Sequence, residues 1–263
     1  VLRRSLRDAA VVLTGAGGGI GSALARRLAA EGARLALLDR IAPDALAAEL
    51  RAKGAEAVGI GADITDAAAC AAAIAAAEEA LGGVDVLINN AGLSHVSRFS
   101  DTAVEVIEEV MAVNFLGAVY CTAAALDSLR RRRGAVVALS SVAGFAPLWG
   151  RTGYAASKHA LHGFFDTLRV EEPDLDVLVV CPSFARTAIQ AHALDGHGRP
   201  RGEGVPTIGR LLDPDDVAAA VVRGLQRRQR LVLVSPIARA SYWLSRLAPG
   251  LYARLMLRSQ GPG

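Results

Sequence analysis

Tyr154 and Lys158 stand four residues apart in GYAASKHALHGFF (153–165), a spacing that puts both side chains on one face if the stretch is helical. A tyrosine and a lysine so placed are often nothing more than a half-exposed aromatic beside a solvated cation. The choice of cation argues for more. The chain carries 29 Lys and Arg together, yet Lys53 and Lys158 are its only two lysines. A phenol with a pKa of about 10 is a poor base at neutral pH, and an adjacent positive charge stabilises its phenolate. Each unit of downward shift corresponds to ~1.4 kcal/mol, so one or two units bring a tyrosine into use as a proton acceptor near pH 7 to 9. Lysine suits that task because its compact ammonium can take part in proton relay, whereas a guanidinium is effectively never deprotonated.

A second group of residues could hold phosphate. In TGAGGGIG (14–21) the spacing G-x-x-x-G-x-G is met by Gly15, Gly19 and Gly21, whereas G-x-G-x-x-G fails because Ile20 stands where its last glycine would be. No Lys-Ser/Thr pair follows, so this is not an ATP-binding P-loop. Placed between a predicted strand and a predicted helix, the loop offers free backbone N–H groups and a positive helix end to a pyrophosphate. Asp39, 18 residues beyond Gly21 at the end of the next predicted strand, can accept hydrogen bonds from both hydroxyls of an adenosine ribose and would repel a 2′-phosphate. Arg40 points the other way, since a guanidinium could grip that phosphate. The acidic residue holds the ribose position, so NAD is the expected cofactor, with NADP left open by Arg40.

Taken in order, the motifs resemble those of the short-chain dehydrogenase/reductase family over about residues 10 to 235: TGAGGGIG, NNAG (89–92), Asn114 in VMAVNFLG, Ser141 in VVALSS, Tyr154 and Lys158 in YAASK, and Pro182 in VVCPS. Ser141 and Tyr154 are 13 positions apart, the usual interval in that family. The resemblance implies an NAD(P)-dependent oxidoreductase acting on a CH–OH group, interconverting a secondary alcohol and a ketone with hydride passing to or from the nicotinamide C4. It implies Tyr154 as general acid/base, Ser141 bonded to the substrate oxygen, and Asn114 holding a relay water, while Lys158 serves the phenol and the ribose. For the cofactor it implies Gly15, Gly19, Ile20 and Gly21 at the pyrophosphate, Asp39 and Arg40 at the adenosine ribose, and Asp63 and Ile64 at the adenine. Asn90, Ala91 and Gly92 would line the adenosine and ribose side, Pro182 would lie at the site, and Thr187 would reach the nicotinamide carboxamide. Ser183 departs mildly from the pattern, standing where the family usually has glycine.

Other chemistry finds less support. His159 and His162 share a helical face but have no third ligand nearby, so no metal site is expected. His192 and His197 read as loop residues, whereas His95, directly after NNAG, is a candidate substrate contact. LSSVA is not the G-x-S-x-G elbow of a hydrolase.

These residues need a scaffold, and apolar runs supply one. Short buried strands are expected at 9–15, 34–40, 55–64, 84–92, 134–141 and 175–183, with a seventh at 230–236, and helices at 19–31, 43–53, 66–81, 101–130 and 152–171. Alternating strand and helix means an α/β, three-layer, doubly wound Rossmann fold with a mostly parallel seven-stranded sheet, all in one domain over 1–263. Segment 185–214 is long and Gly/Pro-rich just past a strand end, and reads as a substrate lid.

The tail, 236–260, carries Trp243, Leu244, Leu247, Leu251, Leu255 and Met256 interleaved with Arg239, Arg246, Arg254 and Arg258. It is similar to the tails of family members acting on steroids, retinoids and other lipophilic alcohols. Three roles stay open for it: capping the substrate pocket, packing on a partner subunit, or resting on a membrane surface. With the lid, Leu148, Trp149 and Phe184 would form an apolar pocket, so a steroid-like, retinoid-like or long-chain alcohol is expected. A reductase of 3-oxoacyl or small carbonyl substrates using NADPH is the alternative, although the tail argues against the ketoacyl-carrier-protein reductases. A catalytically silent nucleotide-binding regulator fits poorly with a complete Asn, Ser, Tyr and Lys set.

Composition bounds the rest. The net charge of +3 and Arg130 to Arg133 at a predicted helix end do not amount to a nucleic-acid surface. No unbroken apolar run approaches the ~18 residues of a membrane span, and VLRRSLRDAA lacks the apolar stretch of a secretory signal. Three widely spaced cysteines fit a reducing compartment, so a cytoplasmic protein is expected. The family expectation is a homodimer or homotetramer paired through the helices at 101–130 and 152–171.

Overall fold

The computed structural model describes residues 3–187, 189, 192–202 and 209–260. Seven strands form one sheet: β1 (Ala10–Thr14), β2 (Arg34–Asp39), β3 (Ala57–Gly61), β4 (Val86–Asn89), β5 (Ala135–Leu139), β6 (Asp176–Cys181) and β7 (Leu231–Leu233). Every pairing is parallel and the order across the sheet is β3-β2-β1-β4-β5-β6-β7. Parallel strands need crossovers, and helices supply them: α1 (Gly19–Ala30), α2 (Asp44–Ala52), α3 (Ala67–Leu81), α4 (Val104–Met111), α5 (Gly117–Arg131), α6 (Thr152–Glu171) and α7 (Pro214–Gln226). Two further helices close the chain, α8 (Pro236–Leu247) and α9 (Pro249–Gln260).

Period-two alternation divides each strand between two cores. From β1, Val11 and Leu13 pack with Leu24 and Leu28 of α1, Leu50 of α2 and Val217 and Val221 of α7. Ala10 and Val12 face the other way, onto Ile74 of α3, Leu129 of α5 and Phe165 of α6. The sheet is therefore the middle of three layers. Strands buried on both faces are why these runs read as continuously apolar.

One sequence expectation changes. Helix α7 falls between the expected lid and β7, where none of the expected crossover helices had been placed. Its signals are local: Asp213 caps the Asp215 N–H, Pro214 occupies the first turn, Asp215 and Asp216 complement the dipole, and Val217, Val221 and Leu225 recur on the buried side. The stretch Val104–Arg131 is also long and apolar enough to cross a membrane by length and composition, although no unbroken apolar run marks it. Its apolar positions are core positions here, with Ala118, Cys121, Ala125 and Leu129 buried beneath the sheet and α4 lying on α6. A π-helical turn, Ala112–Leu116, joins α4 to α5, and such turns are frequent at functional sites.

Candidate active site

The strand order reverses between β1 and β4, which opens a crevice at the carboxyl ends of the strands. Backbone forms the crevice there. Gly15 takes φ +64, and a Cβ on it would lie 2.7 Å from the Ala91 Cα; a Cβ on Gly21 would lie 2.0 Å from the Gly15 carbonyl oxygen. The Asn90 amide donates to the carbonyls of Thr14 (2.9 Å) and Gly15 (3.0 Å), and the backbone N–H groups of Asn90 and Ala91 donate to the Thr14 hydroxyl (3.1 Å each). Asn90 thus ties β4 to the glycine loop, and Ala91 braces the loop from behind.

At the end of β2, one Asp39 oxygen accepts from the Gly17 N–H (2.9 Å) and the other from the Arg40 N–H (2.7 Å). That holds the carboxylate against the loop. The Arg40 side chain is exposed beside it. Asp63 accepts from the Thr65 N–H (2.9 Å) and hydroxyl (2.7 Å), and these two bonds, with a smaller contribution from Arg40, hold its carboxyl below the usual range. Ile64 lies against Gly117.

Further along, the crevice runs into a cavity of about 410 Å³, within the roughly 300 to 1,000 Å³ of small-molecule sites. Ile20, Asn90, Gly92, Pro182 and Thr187 line it toward the glycine loop, and Ser141, Tyr154 and Lys158 line it as well. Leu148, Phe184, Ile237, Leu244, Tyr252 and Met256 form the apolar remainder. The tail therefore walls the cavity, as the capping role requires. The described part of the 185–214 segment contributes Ala185, Thr187 and Ile189, while residues 188, 190, 191 and 203–208 of the expected lid lie outside the described residues. Trp149 packs beside Val142, Ala146 and Tyr252 and is not on the wall. His95 is not on it either: it is wholly buried, its backbone bridges to Leu194, and burial drops its pKa to about 4. The place of His95 directly after NNAG along the chain did not carry into space.

Helix α6 presents Tyr154 and Lys158 to the same cavity, one turn apart. Loss of solvation pushes the Tyr154 phenol up, and hydrogen bonding from Ser141 and the charge of Arg151 pull it back. Lys158, 4% exposed, donates from Nζ to the Leu139 carbonyl (2.9 Å) with Nζ 5.7 Å from the Tyr154 ring centre. Burial lowers its pKa to about 8. Its ammonium keeps two donors for other partners. Asn114, in the π turn, donates to the Leu93 carbonyl (2.8 Å) and the Ser157 hydroxyl (2.9 Å) and accepts from the Leu93 N–H (2.7 Å). Its Nδ2 is fully used, and Oδ1 retains one lone pair for another donor.

Arg151 is the residue that motif reasoning missed. It precedes α6, is buried, lines the cavity, donates to the Ser94 hydroxyl (3.0 Å) and stacks over Phe184 at 5.4 Å. Its signal in the sequence was position alone, an arginine three before Tyr154 at the helix start.

A dinucleotide fits these residues. The loop has no room for side chains where a pyrophosphate would approach, and Thr187 sits against Gly19 at the start of α1. Among the described residues the Thr187 hydroxyl is buried without a hydrogen-bond partner, as expected of a group that waits for a ligand's amide.

Comparison with known proteins gives the same answer. A family model for short chain dehydrogenase matches residues 9–197. The chain belongs to the short-chain dehydrogenase family. Dehydrogenase/reductase SDR family member 7B of Bos taurus is 39% identical over 267 residues, covering 97% of this chain and 82% of that one. A family 7-like protein of Anopheles gambiae is 32% identical, covering 96% and 83%. Among solved structures, a short-chain dehydrogenase/reductase from Burkholderia phymatum in complex with NAD superposes with a TM-score of 0.82 at 28% identity, covering 94% of this chain and 96% of that one. An alcohol dehydrogenase from the archaeon Thermococcus sibiricus, complexed with 5-hydroxy-NADP, gives 0.74 at 30% identity, covering 85% and 94%. As a short-chain dehydrogenase/reductase, the protein is an oxidoreductase.

Proposed function

We propose that the protein interconverts a bulky, lipophilic secondary alcohol and its ketone, with NAD as the preferred cofactor. The observation that carries this reading is one continuous cavity: Ser141, Tyr154 and Lys158 face it, Ile20 of the glycine loop and Thr187 bound one side, and Leu148, Leu244, Tyr252 and Met256 the other.

Gly15, Gly19, Ile20 and Gly21 would hold the pyrophosphate at the first turn of α1, Asp39 the adenosine ribose, and Asp63 and Ile64 the adenine. Thr187 would hold the carboxamide. Asp39 supports NAD because its carboxylate is fixed on the loop by the Gly17 N–H while Arg40 is left exposed. When bound, the nicotinamide would supply the hydride acceptor. The chain's own residues do the proton chemistry. Ser141 orients the substrate hydroxyl and Tyr154 takes its proton; the Ser141 hydrogen bond and the charge of Arg151 favour the phenolate against the cost of burial, and the Lys158 ammonium lies 5.7 Å from the phenol ring centre. The buried Lys158, poised at about pH 8, can pass that proton on. An apolar wall leaves little to hydrogen-bond except the reacting oxygen, which supports a lipophilic substrate.

A screen for NAD⁺ and NADP⁺ reduction over secondary alcohols, sterols and long-chain hydroxy compounds included, tests the reading. Turnover with bulky alcohols and NAD⁺ is expected. Tyr154→Phe should keep cofactor affinity and lose about 10³-fold in turnover, within the usual range for a general acid/base; unchanged turnover would overturn the assignment.

A further inference from the structure

The helices that close the cavity have a second, outer face that is exposed among the described residues. Trp243 is 60% exposed, Leu247 78%, Leu251 50% and Leu257 59%, and all four lie on the α8–α9 hairpin. Among the described residues, half of the exposed large apolar side chains are concentrated on these two short helices. Arg239, Arg246, Arg254 and Arg258 are interleaved with them, and no Asp or Glu occurs from Pro236 to the end of the sequence. Arg246 stacks on Tyr242 at 3.6 Å while its charge stays exposed at the rim.

We propose that this outer face docks the protein on an anionic phospholipid surface, and that the cavity opens toward it. Charge decides between occupants. A second copy seated symmetrically on the same face would set four arginines against four arginines, since a two-fold interface is self-complementary. An anionic headgroup layer meets the same four with opposite charge, each basic residue near it strengthening binding by about fivefold. Tryptophan and leucine at such a face suit the boundary between headgroups and acyl chains. Leu255 links the two faces: it lines the cavity and is 46% exposed, so the apolar wall continues to the outside at the hairpin. A lipophilic alcohol could then pass from bilayer to active site without crossing water. That route rests on the substrate reading above; the docking does not.

The test is flotation of the full chain with phosphatidylcholine vesicles, with and without phosphatidylserine, alongside turnover of a small soluble alcohol. Flotation is expected with phosphatidylserine at low salt and should fall at least about tenfold with neutral vesicles or at high salt. Exchanging two exposed residues away from the cavity, Leu247→Asp with Leu251→Asp, should abolish flotation and leave soluble turnover unchanged. No flotation of the parent chain with phosphatidylserine, or equal flotation of the double variant, overturns the proposal. A concentration-dependent dimer that the double variant loses, without flotation, also overturns it and gives the face to a second copy. Because flotation needs no substrate, failure of every alcohol to react would remove the proposed activity while leaving docking standing.

Discussion

Around β1 and β4 the binding surface is backbone, whereas beyond β6 it is side chain. On the first side, Gly15 and Gly21 bring main chain against main chain, and Thr14, Asn90 and Asp39 spend their polar groups holding the loop. On the other, Leu244, Tyr252 and Met256 hang from two terminal helices that touch little of the sheet. A surface built from backbone serves a ligand whose phosphates and sugars are fixed, and has almost no freedom to vary. A wall of side chains can be resized one residue at a time without disturbing the sheet. On the proposed function, cofactor binding and substrate choice fall to regions that respond differently to mutation.

The largest effect expected from breaking that division is on the backbone side. In Gly21→Ala the new Cβ would meet the Gly15 oxygen at 2.0 Å and the Ala16 Cα at 2.9 Å, atoms of the loop that cannot swing aside. Overpacking of this kind costs about 3 kcal/mol, which corresponds to roughly 150-fold in cofactor affinity if the loop must open to relieve it. Titration of the variant with NAD⁺, followed by fluorescence or calorimetry, measures the loss. Gly163, in mid α6 with nothing within 4 Å of its Cβ position, is the control, and Gly163→Ala should gain about 0.5 to 1 kcal/mol of stability.

Lys158 lies on the seam between the two regions, and its burial should be measurable as a cost. Its pKa falls from 10.5 to about 8 on folding, so between those values the native state binds fewer protons than the unfolded chain. Stability of the cofactor-free protein therefore rises with pH across that window, and the full penalty of about 3 kcal/mol stands below pH 8. In Lys158→Met the penalty and its pH dependence vanish, offset by about 1 kcal/mol for the Leu139 carbonyl left without its donor. Denaturant melts at pH 7 and pH 10.5 should show the variant ahead at the lower pH and level or behind at the higher, while turnover is lost at both. Equal melts at pH 7 would mean that the ammonium is not desolvated.

The same division explains what the sequence disclosed. Glycine spacing, the strand-end Asp39 and the Tyr154–Lys158 interval are local patterns, and a backbone-built site is written in local patterns. Seven strands and their helices followed from apolar runs for the same reason, and α7 escaped only because it begins in the polar run of the lid segment rather than after a clear break. The substrate side is assembled from residues about 100 positions apart, such as Leu148 and Tyr252, whose meeting depends on where two terminal helices dock. Arg151 and Trp149 show the limit from both directions: neighbours in sequence, one lines the cavity and the other packs behind it. Nor could the spacing tell that Tyr154 would be opposed by burial and helped by Ser141 and Arg151.

The smallest effect expected is the one that would sharpen the side-chain half. Leu244 is half-buried on α8, touches the cavity, and belongs to the small cluster with Val142, Tyr252 and Met256 rather than to either main core. Truncation there should leave the sheet and the glycine loop untouched, because those rest on other residues. Leu244→Ala removes a patch of wall worth about 1 to 2 kcal/mol to a substrate that fills the cavity and nothing to one that does not reach it. The KM of a bulky alcohol should rise about tenfold with kcat nearly constant, since the lost contact is made equally in ground and transition states. NAD⁺ affinity and the constants of a small alcohol should hold. If the small alcohol suffers as much as the large one, α8 positions the catalytic residues rather than sizing the pocket, and the two halves of the site are not independent.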